Sequence, residues 1–260
     1  MTERLPQLLA RRGDRPLVVP YLTAGYPRAS ETVDLLLAAE AGGADAIELG
    51  LPFSDPLADG PVVQEASRTA LDGGITHRRA LELAAAFRAR SSLPLICMGY
   101  LNPILAYGPE AFFADAVSAG VDGLIVPDLP AEEAAPFHGP AQAAGLSWIF
   151  LAAPTSSDER LAHIDALSTH LNYCVSVVGV TGARDSLPSD LRAYLERAAR
   201  VMTKPFVVGF GISKPEHVSR VAPPAAGVVV GSAFLRAIGN APNAGSRLRV
   251  AEAFVRGLRG

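Results

Sequence analysis

The sequence predicts a (β/α)8 barrel in which residues 1–260 form a single domain. Short β-branched runs alternate with Ala- and Leu-rich helical segments along the whole chain, which is typical of a parallel sheet of βα units. Eight such runs occur, and the chain length of 260 residues is common for one barrel. No linker rich in Pro, Gly or Ser separates two halves. An open, doubly wound sheet is the alternative.

The eight predicted strands are spaced so that a helix fits between them. They cover residues 16–24, 45–50, 93–100, 122–128, 146–154, 171–177, 205–211 and 226–232. After the first strand, Ser30 can cap the start of a helix and Gly42 can end it. Barrels of this kind carry their chemistry in the loops at the carboxyl ends of the strands. Polar residues at those ends are therefore the candidates for function.

Composition excludes several classes of protein. An apolar fraction of 49% is typical of a globular chain with a large core. The formal charge of −3 argues against a nucleic-acid partner, because phosphate backbones bind concentrated basic surfaces. The sequence has neither an apolar run of about 18 residues that would span a membrane nor a signal peptide. Cys97 and Cys174 lack a disulfide or metal spacing, so we expect buried thiols in a cytoplasmic protein.

The second strand, DAIELG, contains an acidic residue among apolar ones. Alternation places Ile47 and Leu49 on one face and Glu48 on the other, so that Glu48 points into the barrel if the apolar pair faces the helices. A carboxyl group buried there without a cation has a raised pKa, which suits a general acid. The alternative is a glutamate paired with a buried Arg or Lys, but the neighbouring strands offer no obvious cation.

A second acid follows in the loop after this strand. Pro61 suits the first position of a helix, which places Asp59 immediately before that helix. The helix N-terminus favours an ionised carboxylate, so the pKa values of Asp59 and Glu48 would be pushed apart, as in a proton donor beside a fixed anion. The spacing supports a simple capping acid equally well. Asp55 is interpreted as a turn residue or a surface contact.

Glycines at the ends of the last strands indicate an anion site. Gly211 lies in GFGIS, Gly231 in GSA and Gly182 in GVTGAR, and glycine lets backbone N–H groups approach an anion closely. Ser232 can start a short helix whose N-terminus favours negative charge. Each turn taken alone is more often a simple tight turn. Together, in the loops where barrels hold phosphate, they predict a phosphorylated substrate.

Metal and Schiff-base chemistry are not indicated by the sequence. The histidines lack metal-binding spacing, and we expect them to be solvated: His77, His138, His163, His170 and His217. Lys204 and Lys214 do not occupy inward strand positions. We therefore expect no metal and no cofactor in this chain.

In these motifs the sequence resembles the tryptophan synthase alpha subunit family, and the resemblance covers nearly the whole chain. The segment ELGLPFSDPLADGPVVQ carries most of the resemblance, and PYLTAGYP, VPDLP, GVTGAR, GFGIS and VVVGSA follow the family's order and spacing. The resemblance implies a barrel that cleaves indole-3-glycerol phosphate to indole and glyceraldehyde 3-phosphate by a retro-aldol reaction. Glu48 then matches the general acid and base, Asp59 the acid that binds the indole N–H, and Tyr173 a tyrosine beside the glutamate.

The resemblance also implies further contacts. The residues that match the phosphate-binding positions are Gly182, Gly211, Gly231 and Ser232. Tyr100 and Asp128 fall at strand ends near the substrate. The residues that can supply an apolar wall for indole are Phe210, Leu22, Ile149 and Leu124. Tyr26 and Ala226 stand where relatives often carry acids, but neither belongs to the catalytic set.

By the same resemblance, the partner is a beta subunit, which holds pyridoxal phosphate and receives indole within an alpha2beta2 tetramer. Loop 51–57 and the segment GYLNPILAYG would face it. Three alternatives stay open: a free-standing lyase, a phosphate-binding barrel with only a regulatory role, and another metal-free phosphosugar lyase or isomerase. The presence of both Glu48 and Asp59 counts against the regulatory role.

Overall fold

A parallel sheet of strands forms the centre of the computed structural model, which describes residues 3–176, 189–209 and 211–259. Within these residues the strands are β1 Leu17–Thr23, β2 Ile47–Gly50, β3 Leu95–Met98, β4 Gly123–Ile125, β5 Ser147–Trp148, β6 Leu151–Ala152, β7 Asn172–Val175, β8 Phe206–Gly209 and β9 Gly227–Val230. Each predicted strand is present, and each is shorter than predicted. The predicted strand 146–154 is divided into β5 and β6.

This division shows how the sheet closes. The strand order is β5-β4-β3-β2-β1-β9-β8-β7-β6, so the two edges are consecutive pieces of one chain segment. On one side the Ile149 N–H donates to the Leu124 carbonyl at 3.0 Å, and on the other the Tyr173 N–H donates to the Phe150 carbonyl at 3.0 Å. The segment therefore pairs with β4 and with β7. The predicted (β/α)8 barrel is confirmed.

Helices follow the strands on the outside of the barrel. In the described parts of the chain they are α1 Arg4–Arg11, α2 Thr32–Ala41, α3 Pro61–Asp72, α4 His77–Arg88, α5 Leu101–Tyr107, α6 Pro109–Ser118, α7 Ala135–Ala144, α8 Asp158–Leu167, α9 Leu191–Val201, α10 Pro215–Val221, α11 Ser232–Gly239 and α12 Ala244–Arg259. Short 3-10 helices cover Ala29–Glu31 and Ala131–Glu133. None of the helices in these described residues is both long enough and apolar enough to cross a membrane.

The start of α2 differs from the prediction. Ser30 lies inside the 3-10 turn Ala29–Glu31, and α2 begins only at Thr32, so Ser30 does not cap it. The Thr32 hydroxyl instead accepts the Gly25 N–H at 3.0 Å, which ties the helix to the loop after β1. The predicted end is confirmed, because Gly42 is the C-cap.

Side-chain alternation along the strands separates the helix-facing core from the barrel interior. Ile47 and Leu49 on β2 are both fully buried, and Glu48 between them takes the opposite face, as the pattern predicts. Cys97 and Cys174 are buried free thiols, as expected. The carboxyl ends of the strands thus collect the polar side chains that the core excludes.

Candidate active site

A cavity opens at the carboxyl end of the barrel, and it collects residues that are far apart in sequence. Its lining includes Tyr21, Glu48, Asp59, Val63, Met98, Tyr173, Gly211, Ile212, Val229, Gly231, Ser232 and Ala233. The six predicted site residues among them are Glu48, Asp59, Tyr173, Gly211, Gly231 and Ser232. Two others, Gly182 and Phe210, lie outside the described residues. The acids and the glycine turns therefore face one space, as a single reaction site requires.

Glu48 is buried in the wall of this cavity with only 2% of its surface exposed. It pairs in register with Tyr21 on β1 and Ile96 on β3, neither of which carries a positive charge. Among the described residues, its Oε2 atom has no hydrogen-bond partner. Burial, reinforced by the nearby Asp59 carboxylate, raises the pKa of Glu48 to about 8. The group is therefore mainly protonated at neutral pH and can deliver a proton.

Asp59 is almost as deeply buried, at 4% exposed, and it stands two residues before Pro61, where α3 begins. Its Oδ2 atom accepts the Tyr100 hydroxyl at 3.1 Å. The carboxylate is thus hydrogen-bonded to Tyr100, the N-cap residue of α5, whereas the capping interpretation paired it with α3. The N-cap of α3 is Gly60.

The expectation that the helix start keeps Asp59 readily ionised needs correction. Burial raises the pKa of Asp59 to about 6, and the Tyr100 hydrogen bond only partly offsets this effect. Desolvation thus outweighs the favourable position near the helix N-terminus. The predicted order of the two acids still holds, since the pKa of Glu48 is higher. Near pH 7 the site pairs a protonated Glu48 with a mainly ionised Asp59.

Tyr100 and Asp128 lie beside the cavity and are not among its lining residues. The Tyr100 hydroxyl accepts the Ala58 N–H at 3.1 Å while it donates to Asp59, so it holds the loop and the acid together. Asp128 is exposed, and its carboxylate accepts the Leu101 N–H at 2.9 Å where α5 begins. Direct contact of these two side chains with substrate stays a prediction.

Two buried tyrosines flank the acids, and each requires a glycine on the next strand. A Cβ atom on Gly209 would lie 1.8 Å from the Tyr173 hydroxyl, and one on Gly50 would lie 2.1 Å from the Tyr21 hydroxyl. Tyr21 was missed by the sequence reasoning. The available signal was its position two residues before Thr23 on β1, since both share the inward face. The hydroxyl groups of Tyr21 and Thr23 lie 3.2 Å apart.

The opposite wall of the cavity is built from backbone. Gly211 has a φ of 81°, a conformation that other residues adopt only under strain, and it lies just after β8. Gly231 precedes α11, which begins at Ser232 as predicted. Backbone N–H groups at the start of a helix favour a bound anion. This wall therefore suits the phosphate end of a substrate.

Apolar side chains complete the lining, but the described ones differ from Leu22, Ile149 and Leu124, which were predicted to lie there. Val63, Met98, Ile212, Val229 and Ala233 contribute to the wall. The residues expected there, Leu22, Ile149 and Leu124, are buried elsewhere in the core. For Leu22 the reason is alternation, because Tyr21 takes the inward face and turns Leu22 outward.

Four of the five histidines depart from the expectation that all are solvated, since His217 is buried and His77, His138 and His170 are half-buried. His217 on α10 is 4% exposed, and its Nδ1 atom accepts the Ser213 N–H at 3.2 Å. His77 is half-buried, and burial lowers its pKa to about 4. The sequence gave no sign that the His77 ring packs against the Phe112 ring on α6, because the two residues are distant in the chain. Within the described ranges, no group of three or more His, Cys, Asp or Glu side chains is arranged to hold a metal.

Comparisons with known proteins agree with this geometry. The family model for the tryptophan synthase alpha chain matches residues 8–259. The tryptophan synthase alpha chain of Roseiflexus sp. (strain RS-1) is 48% identical over 251 residues, which cover 96% of each chain. The corresponding protein of Chlorobium luteolum is 45% identical over 260 residues, with 95% of each chain covered.

Solved structures give the same result. The tryptophan synthase subunit alpha of Legionella pneumophila superimposes with a TM-score of 0.92 at 37% identity, covering 100% of this chain and 98% of that one. The tryptophan synthase complex of Pyrococcus furiosus gives a TM-score of 0.86 at 41% identity, covering 93% and 97%. A second Pyrococcus furiosus structure, of a tryptophan synthase α2β2 complex, gives 0.86 at 40% identity with the same coverage. The chain belongs to the tryptophan synthase alpha chain family, and it is a lyase of tryptophan biosynthesis.

Proposed function

We propose that Glu48 and Asp59 carry out the alpha reaction, in which indole-3-glycerol phosphate is cleaved to indole and glyceraldehyde 3-phosphate. The observation that supports this most strongly is the pair of buried acids in one cavity, with pKa values of about 8 for Glu48 and about 6 for Asp59. At a pH between these two values, Glu48 can donate a proton while Asp59 stays negatively charged, and the cleavage needs both states.

The chemistry starts with protonation of the indole ring. The indole carbanion is a poor leaving group, so a proton must reach C3 before the C–C bond breaks, and Glu48 is the protonated acid in the cavity. The ring nitrogen then carries positive charge. Asp59 stabilises this charge by accepting the indole N–H, and the Tyr100 hydroxyl orients its carboxylate.

Once Glu48 has given its proton to C3, it is ionised and can act as the base for the cleavage step. Its carboxylate removes the proton from the glycerol hydroxyl next to the ring, and the new carbonyl forms as the C–C bond breaks. The bonding electrons return to the ring and restore aromatic indole. Glu48 ends the cycle protonated, so no external acid is consumed. Tyr173 borders the same space and is proposed to hold the substrate against Glu48.

The phosphate is proposed to bind at the backbone wall formed by Gly211, Gly231 and Ser232, and Gly182 remains a proposed phosphate contact. The start of α11 and the left-handed Gly211 support this placement. Asp128 and Phe210 remain proposed substrate neighbours. The reaction as written needs no metal or organic cofactor from this chain.

The proposal includes a beta-subunit partner that holds pyridoxal phosphate and takes up the indole. Leu57 is 84% exposed and Leu105 is 48% exposed, and they lie in the two segments expected to face that partner. Two large apolar side chains left exposed in these segments are consistent with a partner that covers them. A cytoplasmic location for the complex is part of the same proposal.

Indole formation from indole-3-glycerol phosphate tests the proposal. We expect the purified chain to release indole and a beta subunit to increase the rate. Glu48→Gln should lower kcat by about 1000-fold, because the amide cannot deliver a proton. Glu82→Gln is the matched control, since Glu82 is a half-exposed partner of Arg79 on α4. Indole production that survives Glu48→Gln would refute the catalytic assignment, and a rate unaffected by the beta subunit would favour the free-standing lyase.

A further inference from the structure

His217 is a buried histidine for which the proposed reaction has no role. It is the third residue of α10 and has 4% of its surface exposed. Its Nδ1 atom lies 3.2 Å from the Ser213 backbone nitrogen and 3.5 Å from the Ser213 hydroxyl oxygen. Because Nδ1 accepts the backbone N–H, the ring acts as an anchor for the residue at the end of the GFGIS loop.

The anchored loop is short and faces the cavity. Gly211 and Ile212 line the cavity, and Ser213 is the next residue along the chain. Gly211 has a φ of 81°. Glycine adopts many backbone conformations at little cost, so Gly211 by itself does not fix the conformation of the loop. A hydrogen bond two residues further on therefore limits the positions that the loop backbone can take.

Helix capping is the simpler explanation of this bond. A side chain at the third helical position often reaches back to a backbone N–H before the helix. Here, however, the bond goes past the N-cap residue Lys214 to Ser213, and Pro215 already occupies the first position of the helix. The bond therefore constrains the loop at least as much as it constrains α10.

We infer that His217 is a positioning residue, which holds the loop 211–213 in the form that presents its backbone to the substrate phosphate. This inference rests on the proposed phosphate site. It assigns His217 no contact with substrate and no proton transfer. Its effect should therefore appear in the binding of phosphate compounds and not in the chemical step.

Three substitutions of His217 distinguish the effect of its hydrogen bond from the effect of its ring packing. His217→Phe keeps the ring and removes the acceptor, and His217→Leu removes both. His217→Asn places an amide oxygen near the former Nδ1 position. In steady-state assays we expect KM for indole-3-glycerol phosphate to rise about 5-fold in the first two variants, a factor consistent with the loss of one hydrogen bond, with kcat within about 2-fold. His217→Asn should restore most of the affinity.

Two probes identify the affected end of the substrate. Glycerol 3-phosphate carries the phosphate without the ring, and its inhibition constant should rise in parallel with KM. Indole carries the ring without the phosphate, and its inhibition constant should not change. His138→Phe is the matched control, because the His138 Nε2 atom lies 2.7 Å from the Leu167 carbonyl oxygen, away from the cavity. It should alter neither constant.

The inference is overturned if folded His217→Phe binds glycerol 3-phosphate as the unaltered chain does, or if His217→Asn is as impaired as His217→Leu. It is also overturned if both probes weaken equally, because this would indicate a general loss of structure. Should the leucine variant fail to fold, the phenylalanine and asparagine variants still decide the matter. Calorimetric titration with glycerol 3-phosphate tests the role of His217 separately from the proposed catalytic roles of Glu48 and Asp59, because it does not depend on indole formation.

Discussion

Buried acidic residues at the two ends of the barrel differ in their hydrogen-bond and ion-pair partners. At the amino end, Asp45 and Asp122 are 6% and 0% exposed, and each accepts the backbone N–H of a residue at the start of a neighbouring strand, Val18 and Leu95, at 2.8 Å. Each also forms ion pairs with two arginines. At the carboxyl end, Glu48 and Asp59 are buried to a similar degree, but neither forms an ion pair with any residue that the structure describes.

Asp165 shows how the amino end compensates for burial. Burial acts to raise the pKa of Asp165, but hydrogen bonds from Thr203, Asn172 and Lys204 together hold that pKa below its ordinary value. The described residues give Glu48 no comparable set of donors, and burial raises its pKa to about 8. Burial alone therefore does not decide the state of a carboxyl group. The number of donors and cations around it separates an acid that stabilises the fold from one that can transfer a proton.

The largest expected change in stability is at the amino end. Asp122→Ala leaves Arg88, whose side chain is 13% exposed, without its carboxylate partner at 2.9 Å. We expect the free energy of unfolding to fall by about 3 kcal/mol in urea titrations. Asp34→Ala is the matched control, since Asp34 forms a pair with Arg90 at the same 2.9 Å distance but in solvent. That variant should lose less than about 1 kcal/mol. Equal losses in the two variants would contradict the comparison.

A smaller change of opposite sign is expected at the carboxyl end. The pKa of Glu48 is raised from 4.5 to about 8, so the unfolded chain ionises at lower pH than the native protein, and native stability falls between those two values. Glu48→Gln removes this penalty, which is on the order of 4 kcal/mol, but it buries an amide that costs about 2 kcal/mol.

The net gain of Glu48→Gln should therefore be about 2 kcal/mol at pH 9, and it should become a loss of about 2 kcal/mol near pH 4, where the carboxyl group is mostly protonated in both states and only the cost of the buried amide remains. Urea unfolding of both proteins across this pH range measures it. A gain that is independent of pH would show that the buried charge is not its source.

The smallest effect concerns the Tyr100 hydroxyl, which favours ionised Asp59. The pH profile of kcat/KM should have an acid limb near 6 from Asp59 and an alkaline limb near 8 from Glu48. Tyr100→Phe should raise the pKa of Asp59 and move the acid limb up by about half a unit to one unit, with the alkaline limb unchanged. Tyr107→Phe is the control, because its hydroxyl donates to Asp115 on α6. An acid limb that does not move would remove Tyr100 from the proposed site.

Much of this architecture was predictable because it depends on short-range patterns. The order of strands and helices, the inward direction of Glu48, the start of α3 at Pro61 and the start of α11 at Ser232 each follow from a few neighbouring residues. The division of strand 146–154 between β5 and β6 was not predictable in this way. It depends on where this chain segment stops pairing with β4 and begins pairing with β7 as the barrel closes, and no local sequence pattern specifies that point.

The sequence by itself determined which residues face the barrel interior and which loops carry the acids and glycines, because alternation and helix punctuation act over a few residues. Only the tertiary structure decided the chemical state of those residues. Tyr100 reaches Asp59 across 41 positions of sequence, and Tyr21 faces Glu48 from the neighbouring strand. The physical reason is that a pKa depends on burial and on partners from other strands, and both exist only after the barrel has closed.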